Sequence, residues 1–431
     1  MTTTAQLYTI FLNHPHIITD TRKLVKGGIF FALKGGNFNG NQFAIQALNE
    51  GAAYAVIDED IQSKDERLLL VDDVLKALQD LATYHRTKTK IPVLAITGSN
   101  GKTTTKELIA AVLSKKYNVN YTQGNLNNHI GVPLTLLSIT NENDFAVVEM
   151  GANHQKEIEL LASIAQPDFG LITNIGKAHL EGFGGIEGVK KGKGELYQNI
   201  KANQKLIFVQ KNSEALCDLI GDYNHFVSYG NNNEFNVCGH AITGNEFLKV
   251  AIENPFDITI QTNLTGNYNL DNVLVAVAVG NHFGVKESDI KDAIENYQPS
   301  NQRSQIIRKE NSTIVLDAYN ANPSSMQVAL DNFSKSFEGY KIIALGEMLE
   351  LGIESESEHQ RIGNLIQEVN PQTIILVGKN FKSVAATLNA NFFETSDEAM
   401  RWLKDNLPTK FTILIKGSRG SKMEKLLEAI N

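Results

Sequence analysis

A strand, a glycine-containing loop and the start of a helix follow one another within residues 93–106, and no other stretch constrains the chain as much. The apolar start of this stretch predicts a buried strand, Gly98 and Gly101 predict a tight turn, and residues 103–114 predict a helix. Backbone N–H groups in such a loop converge on one point, and the helix dipole adds positive potential there. The stretch is therefore suited to hold a phosphate group.

The residues after the loop point to a nucleoside triphosphate. Lys102 would place a positive charge beside the outer phosphates, and the Thr103 hydroxyl would bind the accompanying magnesium ion. The usual P-loop has a longer spacer between its glycines, whereas here only Ser99 and Asn100 separate them. A strand-to-helix turn that carries Gly-Lys-Thr by chance is the alternative. Because strand and helix both fall where the motif requires them, we expect a triphosphate site.

Composition and charge argue against several classes of protein. The formal net charge is −8 with no long basic block, whereas nucleic-acid backbones are held by clustered Lys and Arg. Cys217 and Cys238 are the only cysteines, and their spacing is typical of neither a disulfide framework nor a zinc site. No signal-peptide pattern opens the sequence, and no uncharged apolar run approaches the ~18 residues of a membrane span. We expect a cytoplasmic protein that contacts neither nucleic acid nor membrane.

Alternating strand and helix patterns predict an α/β protein of several domains. A chain of 431 residues exceeds one ordinary core. Residues 88–92 are typical of a linker, and the composition changes again near Pro299. We therefore expect a small N-terminal α/β domain over residues 1–88, a central P-loop domain with a mostly parallel sheet over residues 89–298, and a Rossmann-like α/β domain over residues 299–431. The last has no GxGxxG motif.

Polar side chains follow the carboxyl ends of predicted strands in the central domain. Glu149 ends one apolar strand, and His179 follows the next. Ligands of open parallel sheets collect at the carboxyl ends of the strands, so we expect both to share one crevice with Lys102 and Thr103. Glu149 would hold the same magnesium ion as Thr103. The alternatives are a solvated carboxylate for Glu149 and a hydrogen-bonded structural residue for His179.

Other polar segments leave two interpretations open. Lys193 lies in a glycine-rich helical stretch whose lysines would normally face water. Asp317 could accept a hydrogen bond from a ribose or form part of a helix-capping turn. Residues 416–421 could bind a phosphate or carboxylate, or begin a helix. Residues 19–23 and 34–40 could hold a second nucleotide-like ligand, or be surface turns.

Seven segments, taken together and in this order, resemble the Mur ligase family and cover nearly the whole chain. They are ITGSNGKTTTKE (96–107), GNLNNHIGVP (124–133), EMGAN (149–153), NIGKAHLEGFG (174–184), KGE (193–195), GNYNLDN (266–272) and DAYNANPSSM (317–326). Within the family the resemblance is closest to the MurF type, through DTRKLVKGGIFFALKG near the N-terminus, YNANP, LGEMLELG (345–352) and KGSRGSKME (416–424). The family's shortened GxxGKT loop accounts for the glycine spacing.

The resemblance implies an ATP-dependent ligase that makes an amide bond. ATP would phosphorylate the terminal carboxylate of a UDP-N-acetylmuramoyl tripeptide, and the amine of D-alanyl-D-alanine would then displace phosphate. The reaction would belong to peptidoglycan precursor synthesis in the cytoplasm. The three small-molecule substrates would be the only partners of a protein that we expect to be a monomer. The C-terminal domain would bind the incoming dipeptide and swing in to complete the ATP site.

The resemblance also assigns residues by motif position. ATP would be bound by Gly98, Ser99, Asn100, Gly101, Lys102, Thr103, Thr104, Asn269, Asn272, Arg303 and Asp317. Two magnesium ions would be held by Thr103, Glu149, His179 and Lys193, with Lys102, Glu149, His179 and Lys193 as the catalytic set. Lys193 matches the family lysine that carbon dioxide carbamylates. The UDP end would lie against Thr21, Arg22, Lys34 and Gly35.

Three other functions compete with this assignment. A MurE-type ligase, which adds the third amino acid, would carry DNPR in its last domain, but residues 395–399 read TSDEA. A folylpolyglutamate-like synthase would lack the UDP-binding first domain. A nucleotide-dependent switch of another class would hydrolyse ATP without any amine or UDP-linked peptide.

Overall fold

Three α/β units follow one another along the chain, each built on its own sheet. The computed structural model describes residues 1–242, 246–299 and 303–430, and these form sheets of four, nine and six strands plus a two-stranded hairpin. The expected α/β class is confirmed. The expected boundary near Pro299 adjoins residues 300–302, which lie outside the described residues.

The first unit is a small parallel sheet with helices against it. Its elements are α1 (Thr4–Asn13), β1 (Ile17–Ile18), β2 (Ile29–Phe31), β3 (Lys34–Gly35), β4 (Phe38–Asn39), α2 (Ala44–Asn49), β5 (Tyr54–Ile57), β6 (Leu68–Leu70) and α3 (Val74–Lys88). The strand order is β1-β2-β5-β6, and β3 with β4 forms the separate hairpin. Every pair within the four-stranded sheet is parallel, so the loops after β1, β2 and β5 all emerge at one edge.

The second unit contains nine strands. Its elements are β7 (Val93–Thr97), α4 (Lys102–Leu113), β8 (Val119–Tyr121), α5 (Gly131–Leu137), β9 (Phe145–Glu149), α6 (Glu157–Ala165), β10 (Phe169–Ile172), α7 (Leu180–Phe183), α8 (Ile186–Ala202), β11 (Leu206–Gln210), α9 (Glu214–Ile220), β12 (Phe226–Gly230), β13 (Val237–Ile242), β14 (Phe247–Asn254), β15 (Ile258–Thr265), α10 (Leu270–His282) and α11 (Glu287–Asn296). The order is β15-β14-β13-β12-β11-β10-β7-β9-β8.

The central sheet is parallel where it carries the candidate site. Strands β7 to β13 pair in parallel, while β13, β14 and β15 are antiparallel at one edge. The phosphate-loop strand β7 lies between β9 and β10, and all of its residues are buried. Since β9 ends at Glu149 and β10 shortly precedes His179, three strand ends meet at one edge. That edge positions the site.

The third unit is a six-stranded sheet. Its elements are β16 (Gln305–Lys309), β17 (Ser312–Asp317), α12 (Pro323–Ser336), β18 (Lys341–Gly346), α13 (Ser355–Val369), β19 (Thr373–Val377), α14 (Lys382–Leu388), β20 (Asn391–Phe393), α15 (Ser396–Asp405), β21 (Phe411–Lys416) and α16 (Leu427–Ile430). The order is β16-β17-β21-β18-β19-β20, with only β16 antiparallel to its neighbour. Asp317 and Lys416 end adjacent strands on the side that faces the central unit.

A buried arginine fastens the first unit to the central one. Arg86, at the end of α3, donates to the Ala165 and Gln166 carbonyls at 3.1 Å each, and its Nη2 lies 2.8 Å from an Asp168 carboxylate oxygen. The guanidinium is almost fully buried, so its charge needs these partners. Arg86 therefore holds the end of α3 against the central unit.

The strands predicted at the start of residues 93–106, up to Glu149 and before His179 are present as β7, β9 and β10. Strands β13 to β15 form the antiparallel edge of the central sheet. Edge strands such as β8 and β20 are only three residues long, so they leave little periodicity in the sequence. None of the helices in the described ranges is both long and apolar enough to cross a lipid bilayer.

A buried neutral histidine makes the third unit sensitive to acid. His359 accepts a hydrogen bond from the Met348 N–H at 3.0 Å through Nε2, and its Nδ1 donates to the Ser355 carbonyl at 2.7 Å. Burial lowers the pKa of His359 below its usual value, against the opposing effect of the Ser355 carbonyl. A proton on Nε2 would face the Met348 donor. The native state thus binds fewer protons than the unfolded state below about pH 6.5.

We predict that acid weakens the fold partly through this histidine. Stability should fall as the pH drops from about 6.5 towards the lowered native pKa, because only the unfolded chain is protonated there. His359→Gln should cost about 1–3 kcal/mol at neutral pH, since the Met348 N–H loses its acceptor geometry. The substitution should also reduce the difference between the free energies of unfolding at pH 7.5 and pH 5.5, as measured by urea unfolding. If His359→Gln left the dependence of stability on pH unchanged, this role would be contradicted. His85 and His282, whose pKa values are also lowered, account for the pH dependence that remains in the variant.

Candidate active site

A cavity of about 760 Å³ lies between the central and third units. Its wall includes most of the predicted site residues, namely Ser99, Asn100, Gly101, Lys102, Thr103, Thr104, Glu149, His179, Asn269, Asn272, Arg303 and Asp317. Two predicted residues, Gly98 and Lys193, lie behind this wall. The residues expected to share one crevice are therefore brought together.

The phosphate loop has a backbone that only glycine adopts without strain at two positions. Gly98 has φ +143°, and a Cβ there would lie 2.0 Å from the Thr173 hydroxyl oxygen. Gly101 has φ +78°, and a Cβ there would lie 2.8 Å from Oδ1 of Asn272. The end of β10 holds the loop from the other side, because the Asn100 N–H donates to the Asn174 side chain at 3.0 Å. The loop therefore depends on its glycines and its neighbours alike.

Lys102 is folded back over the loop that precedes it. Its Nζ donates to the Gly98 carbonyl at 2.7 Å and to the Ser99 carbonyl at 3.3 Å. Burial lowers the pKa of Lys102 to about 8, with Glu149 opposing the shift and the Arg303 charge adding to it. Both hydrogen bonds go to backbone carbonyls, so the ammonium group is available to an anion that enters the cavity.

Glu149 is a fully buried carboxylate at the end of β9. Thr103 Oγ1 donates to it at 3.1 Å and Asn127 Nδ2 at 2.8 Å, while Lys106 Nζ lies 3.6 Å away. Its own N–H donates to the Thr122 hydroxyl at 2.9 Å. A hydroxyl and a carboxylate thus meet directly beside the phosphate loop. Asn127 and Lys106 were not singled out in the sequence, where nothing distinguishes Asn127 from the neighbouring asparagines.

A relay of amides connects the loop helix to the start of α10. Thr105 Oγ1 donates to Asn272 at 2.9 Å, Asn272 donates to Asn269 at 2.8 Å, and Asn269 donates to the Thr265 carbonyl at 2.8 Å. All four side chains are buried. The two asparagines expected to bind ATP are therefore held in fixed orientations at the cavity wall.

Two arginines of the third unit stack on one tyrosine. The Arg303 guanidinium lies 3.7 Å from the centre of the Tyr319 ring, and that of Arg419 lies 5.4 Å from it. The Nε atom of Arg303 is buried and has no hydrogen-bond partner in the described part of the chain. The stack also lines a side cavity of about 330 Å³ that shares Thr103 with the main cavity and reaches Glu424. An anion in the cavity would satisfy the Arg303 donor.

Asp317 lies at the end of β17 on the opposite wall. One of its oxygens accepts from the Ser304 N–H at 3.2 Å, and the other pairs with Lys416 at the end of β21. Lys416 is buried and also donates to the Asn320 carbonyl at 3.2 Å. The residues 416–421 segment thus fixes Asp317 in place.

Several side-chain contacts join the central loops to the third unit, and three of them lie beside the cavity. Asn322 Nδ2 donates to Asn100 Oδ1 at 2.8 Å, directly on the phosphate loop. Lys177 pairs with the buried Glu358 at 2.5 Å. His179 hydrogen-bonds through Nδ1 to Glu350, whose pKa this bond lowers. These contacts therefore hold loops of the two units together beside the cavity.

Lys193 is buried on α8. The glycine- and lysine-rich sequence around it had suggested instead that it would face water. Its Nζ donates to the Ala152 carbonyl at 3.0 Å and lies 5.0 Å from the centre of the Phe183 ring. Burial lowers the pKa of Lys193 well below its usual value, and the Lys102 charge adds to this against Glu157 and Glu195. A neutral amine is the form that reacts with carbon dioxide.

The residues expected to hold UDP lie away from the cavity, on the first unit. Thr21 and Arg22 form a short turn after β1, and Arg22 is bound at 2.9 and 2.7 Å by both oxygens of Asp20. Lys34 and Gly35 form β3, after β2, and Lys34 Nζ lies 2.9 Å from Asp58 and from Glu59. Both cations follow neighbouring parallel strands, but each already has a carboxylate partner.

The donor set fits a polyphosphate with magnesium. Lys102 and the unsatisfied Arg303 donor face one cavity, and the helix dipole of α4 begins there. No group of three or more His, Cys, Asp or Glu side chains that could hold a metal occurs within residues 1–242, 246–299 and 303–430. Magnesium would therefore need the Thr103 hydroxyl, water and phosphate oxygens beside Glu149, which is its usual manner of binding.

We predict that a methyl group on Gly101 weakens nucleotide binding at least tenfold. Gly101→Ala would strain the left-handed backbone and push Asn272 out of the relay. Gly184→Ala is a matched control, because Gly184 has φ +76° and nothing lies within 4 Å of the place that its added methyl group would take. Calorimetric titration with a non-hydrolysable ATP analogue should show at least tenfold weaker binding for Gly101→Ala only. Equal losses in both variants would mean that backbone strain alone matters.

Comparison with known proteins gives a consistent answer. Residues 96–280 match the Mur ligase middle domain, and residues 302–419 match the domain described as Mur ligase, glutamate ligase domain. The UDP-N-acetylmuramoyl-tripeptide–D-alanyl-D-alanine ligase of Escherichia coli is 36% identical over 96% of this chain and 93% of its own. The enzyme of the same name from Bacillus subtilis is 34% identical over 96% and 92%.

A solved structure has the same fold throughout. The MurF structure from Acinetobacter baumannii superimposes with a TM-score of 0.88 at 31% identity and covers 99% of this chain and 98% of its own. Identity above 30% over almost the whole of each chain exceeds what a shared fold alone would give. The chain belongs to the Mur ligase family, in its MurF branch.

Proposed function

We propose that the protein joins D-alanyl-D-alanine to a UDP-N-acetylmuramoyl tripeptide at the expense of ATP, in peptidoglycan precursor synthesis. The observation that carries this proposal is the single cavity in which a phosphate loop, a buried carboxylate and two strand ends of the third unit meet. Two relatives that are 34% and 36% identical to this chain are named for the same reaction. ATP and a UDP-linked precursor are cytoplasmic metabolites, so we place the reaction in the cytoplasm. All of the groups proposed for the site come from one chain, which supports a monomer.

The chemistry needs two consecutive transfers. A carboxylate oxygen of the tripeptide attacks the γ-phosphorus of ATP, the bond to the bridging oxygen breaks, and ADP leaves. The dipeptide amine then adds to the acyl phosphate carbon, loses a proton, and the C–O bond breaks to release inorganic phosphate. Lys102 and Arg303 would neutralise charge on the transferred phosphoryl group, and the cavity walls would hold the reactants in line.

Thr103 and Glu149 are the residues that would hold the first magnesium ion, and His179 and Lys193 those that would hold the second. The ions would supply charge neutralisation on phosphate oxygens. Carbamylated Lys193 would present a carboxylate where the chain has an amine. The burial of Lys193, its lowered pKa and its lack of a carboxylate hydrogen-bond partner in the described residues support that modification.

The remaining substrate ends have separate places. We assign UDP binding to residues 1–88, ATP binding to residues 89–298 and the incoming dipeptide to residues 299–431. The loops after β1 and β2 supply Thr21, Arg22, Lys34 and Gly35 for the UDP end. The side cavity supports the assignment of the dipeptide to residues 299–431. Its wall offers the Arg419 cation for the dipeptide carboxylate and also contains Thr103, which belongs to the proposed ATP site.

Phosphate release with a panel of amines tests the proposal. We expect ATP turnover with D-alanyl-D-alanine and UDP-N-acetylmuramoyl tripeptide together, and almost none when either is omitted. Turnover with diaminopimelate or lysine and a UDP-linked dipeptide instead would establish a MurE-type ligase. Hydrolysis that needs neither amine nor UDP-linked peptide would establish a nucleotide-dependent switch.

We predict that Lys193→Ala abolishes ligation and that acetate restores part of it. The small carboxylate would occupy the space of the carbamate and provide the missing oxygen ligand. Lys191→Ala is the control, because Lys191 lies on the exposed face of the same helix and should retain full activity without acetate. Wild-type activity after rigorous removal of carbon dioxide, together with no acetate rescue, would count against the carbamate.

A further inference from the structure

The segment that carries His179 is held by a loop of the third unit. The Nδ1 atom of His179 hydrogen-bonds to the Glu350 carboxylate, and the Glu181 N–H donates to the Glu350 carbonyl at 3.2 Å. His179 has φ +52° and Glu350 has φ +61°, both in the left-handed region that non-glycine residues rarely occupy. Two unusual backbone conformations therefore meet at this one contact.

The other ring nitrogen of His179 is free to bind a ligand. The ring lines the main cavity, and Nε2 has no hydrogen-bond partner within the described ranges. When Glu350 accepts the proton of Nδ1, a neutral ring carries its lone pair on Nε2. Histidines that bind metals usually have their second nitrogen fixed by a carboxylate in this way.

We infer that Glu350 is a positioning residue, which fixes the His179 ring and its tautomer so that Nε2 is presented to a divalent cation in the cavity. The inference rests on the proposed function, because it takes His179 as a cation ligand. It goes further by making that ligand dependent on a residue of the third unit. The second cation would therefore bind fully only when the third unit is docked.

The third unit carries Glu350 to this place through fixed contacts. The Leu349 N–H donates to Ser418 Oγ at 3.0 Å, and the Met348 N–H donates to the buried His359. These bonds connect the loop before Glu350 to the end of β21 and to α13. Movement of the third sheet would therefore move Glu350 away from His179.

A second pair at the same interface provides a matched control. Lys177, two residues before His179, pairs with Glu358 of α13 at 2.5 Å, and Glu358 also pairs with Arg361 at 2.7 Å. Both acidic residues thus bind the same central loop from the third unit. Glu358→Gln weakens docking of the third unit but leaves the hydrogen bond to the His179 ring intact. Glu350→Ala weakens docking and also removes that hydrogen bond. Glu350→Gln retains an oxygen that can accept from Nδ1.

The first measurement follows the ring itself in metal-free protein. Labelling histidines with ¹⁵N and assigning His179 by its loss in His179→Gln reports which nitrogen carries the proton. At a pH where the ring is neutral, we expect the Nδ1–H form in the wild type, in Glu358→Gln and, mostly, in Glu350→Gln. Glu350→Ala should shift the ring towards the Nε2–H form. An unchanged tautomer in Glu350→Ala would overturn the inference.

The second measurement is Mn²⁺ binding, followed by electron paramagnetic resonance with a non-hydrolysable ATP analogue present. Glu350→Ala should weaken the second Mn²⁺ about 10–100-fold, as loss of such a carboxylate does elsewhere, and leave the first unchanged. Glu350→Gln should recover most of the affinity, and Glu358→Gln, which leaves the His179–Glu350 contact in place, should weaken the second Mn²⁺ much less than Glu350→Ala does. Equal weakening in Glu358→Gln and Glu350→Ala would show that docking alone matters and would overturn the inference. A failed amine panel with an intact tautomer effect would instead count against the proposed reaction.

Discussion

The site depends on a buried carboxylate that has hydrogen-bond donors on several sides. Glu149 is fully buried, and the Thr103 hydroxyl, the Asn127 amide and the more distant Lys106 ammonium surround it. A buried charge is tolerated only with such partners. These partners come from the helix after the phosphate loop and from the asparagine-rich loop after β8. One charge therefore fixes the relative positions of the phosphate loop and the neighbouring strand.

The same principle explains why the cavity wall is shared by two sheets. Lys102, with a lowered pKa, and the unsatisfied Nε of Arg303 leave positive charge facing the same space from the central and third units. Such donors are destabilising to the closed arrangement until an anion satisfies them. Contacts such as Asn100 with Asn322 and Lys177 with Glu358 offset part of that cost. An anion that binds in the cavity would satisfy the Arg303 donor and so stabilise the contact between the two units.

The sequence was informative where one residue type is needed at a fixed spacing. The glycines at 98 and 101, the lysine at 102 and the acid at the end of β9 could be placed from local pattern, because strand, turn and helix impose their geometry. The burial of Lys193 could not be seen from the same pattern, since it depends on Phe183 and on the Ala152 carbonyl, which are remote in sequence. The partner of His179 lies 171 residues away, so no local pattern predicts it.

The arginine at the end of α3 has a consequence for substrate choice. Arg86 binds carbonyls and a carboxylate of the central unit from a buried position, so the first unit cannot pivot freely on its linker. On the proposed assignment of UDP to that unit and of the reacting carboxylate to the phosphate loop, the protein would set the separation of the two sites. The peptide that joins UDP to the reacting carboxylate would then have to span this fixed separation. The carboxylate of a peptide one residue shorter would not reach the phosphate loop.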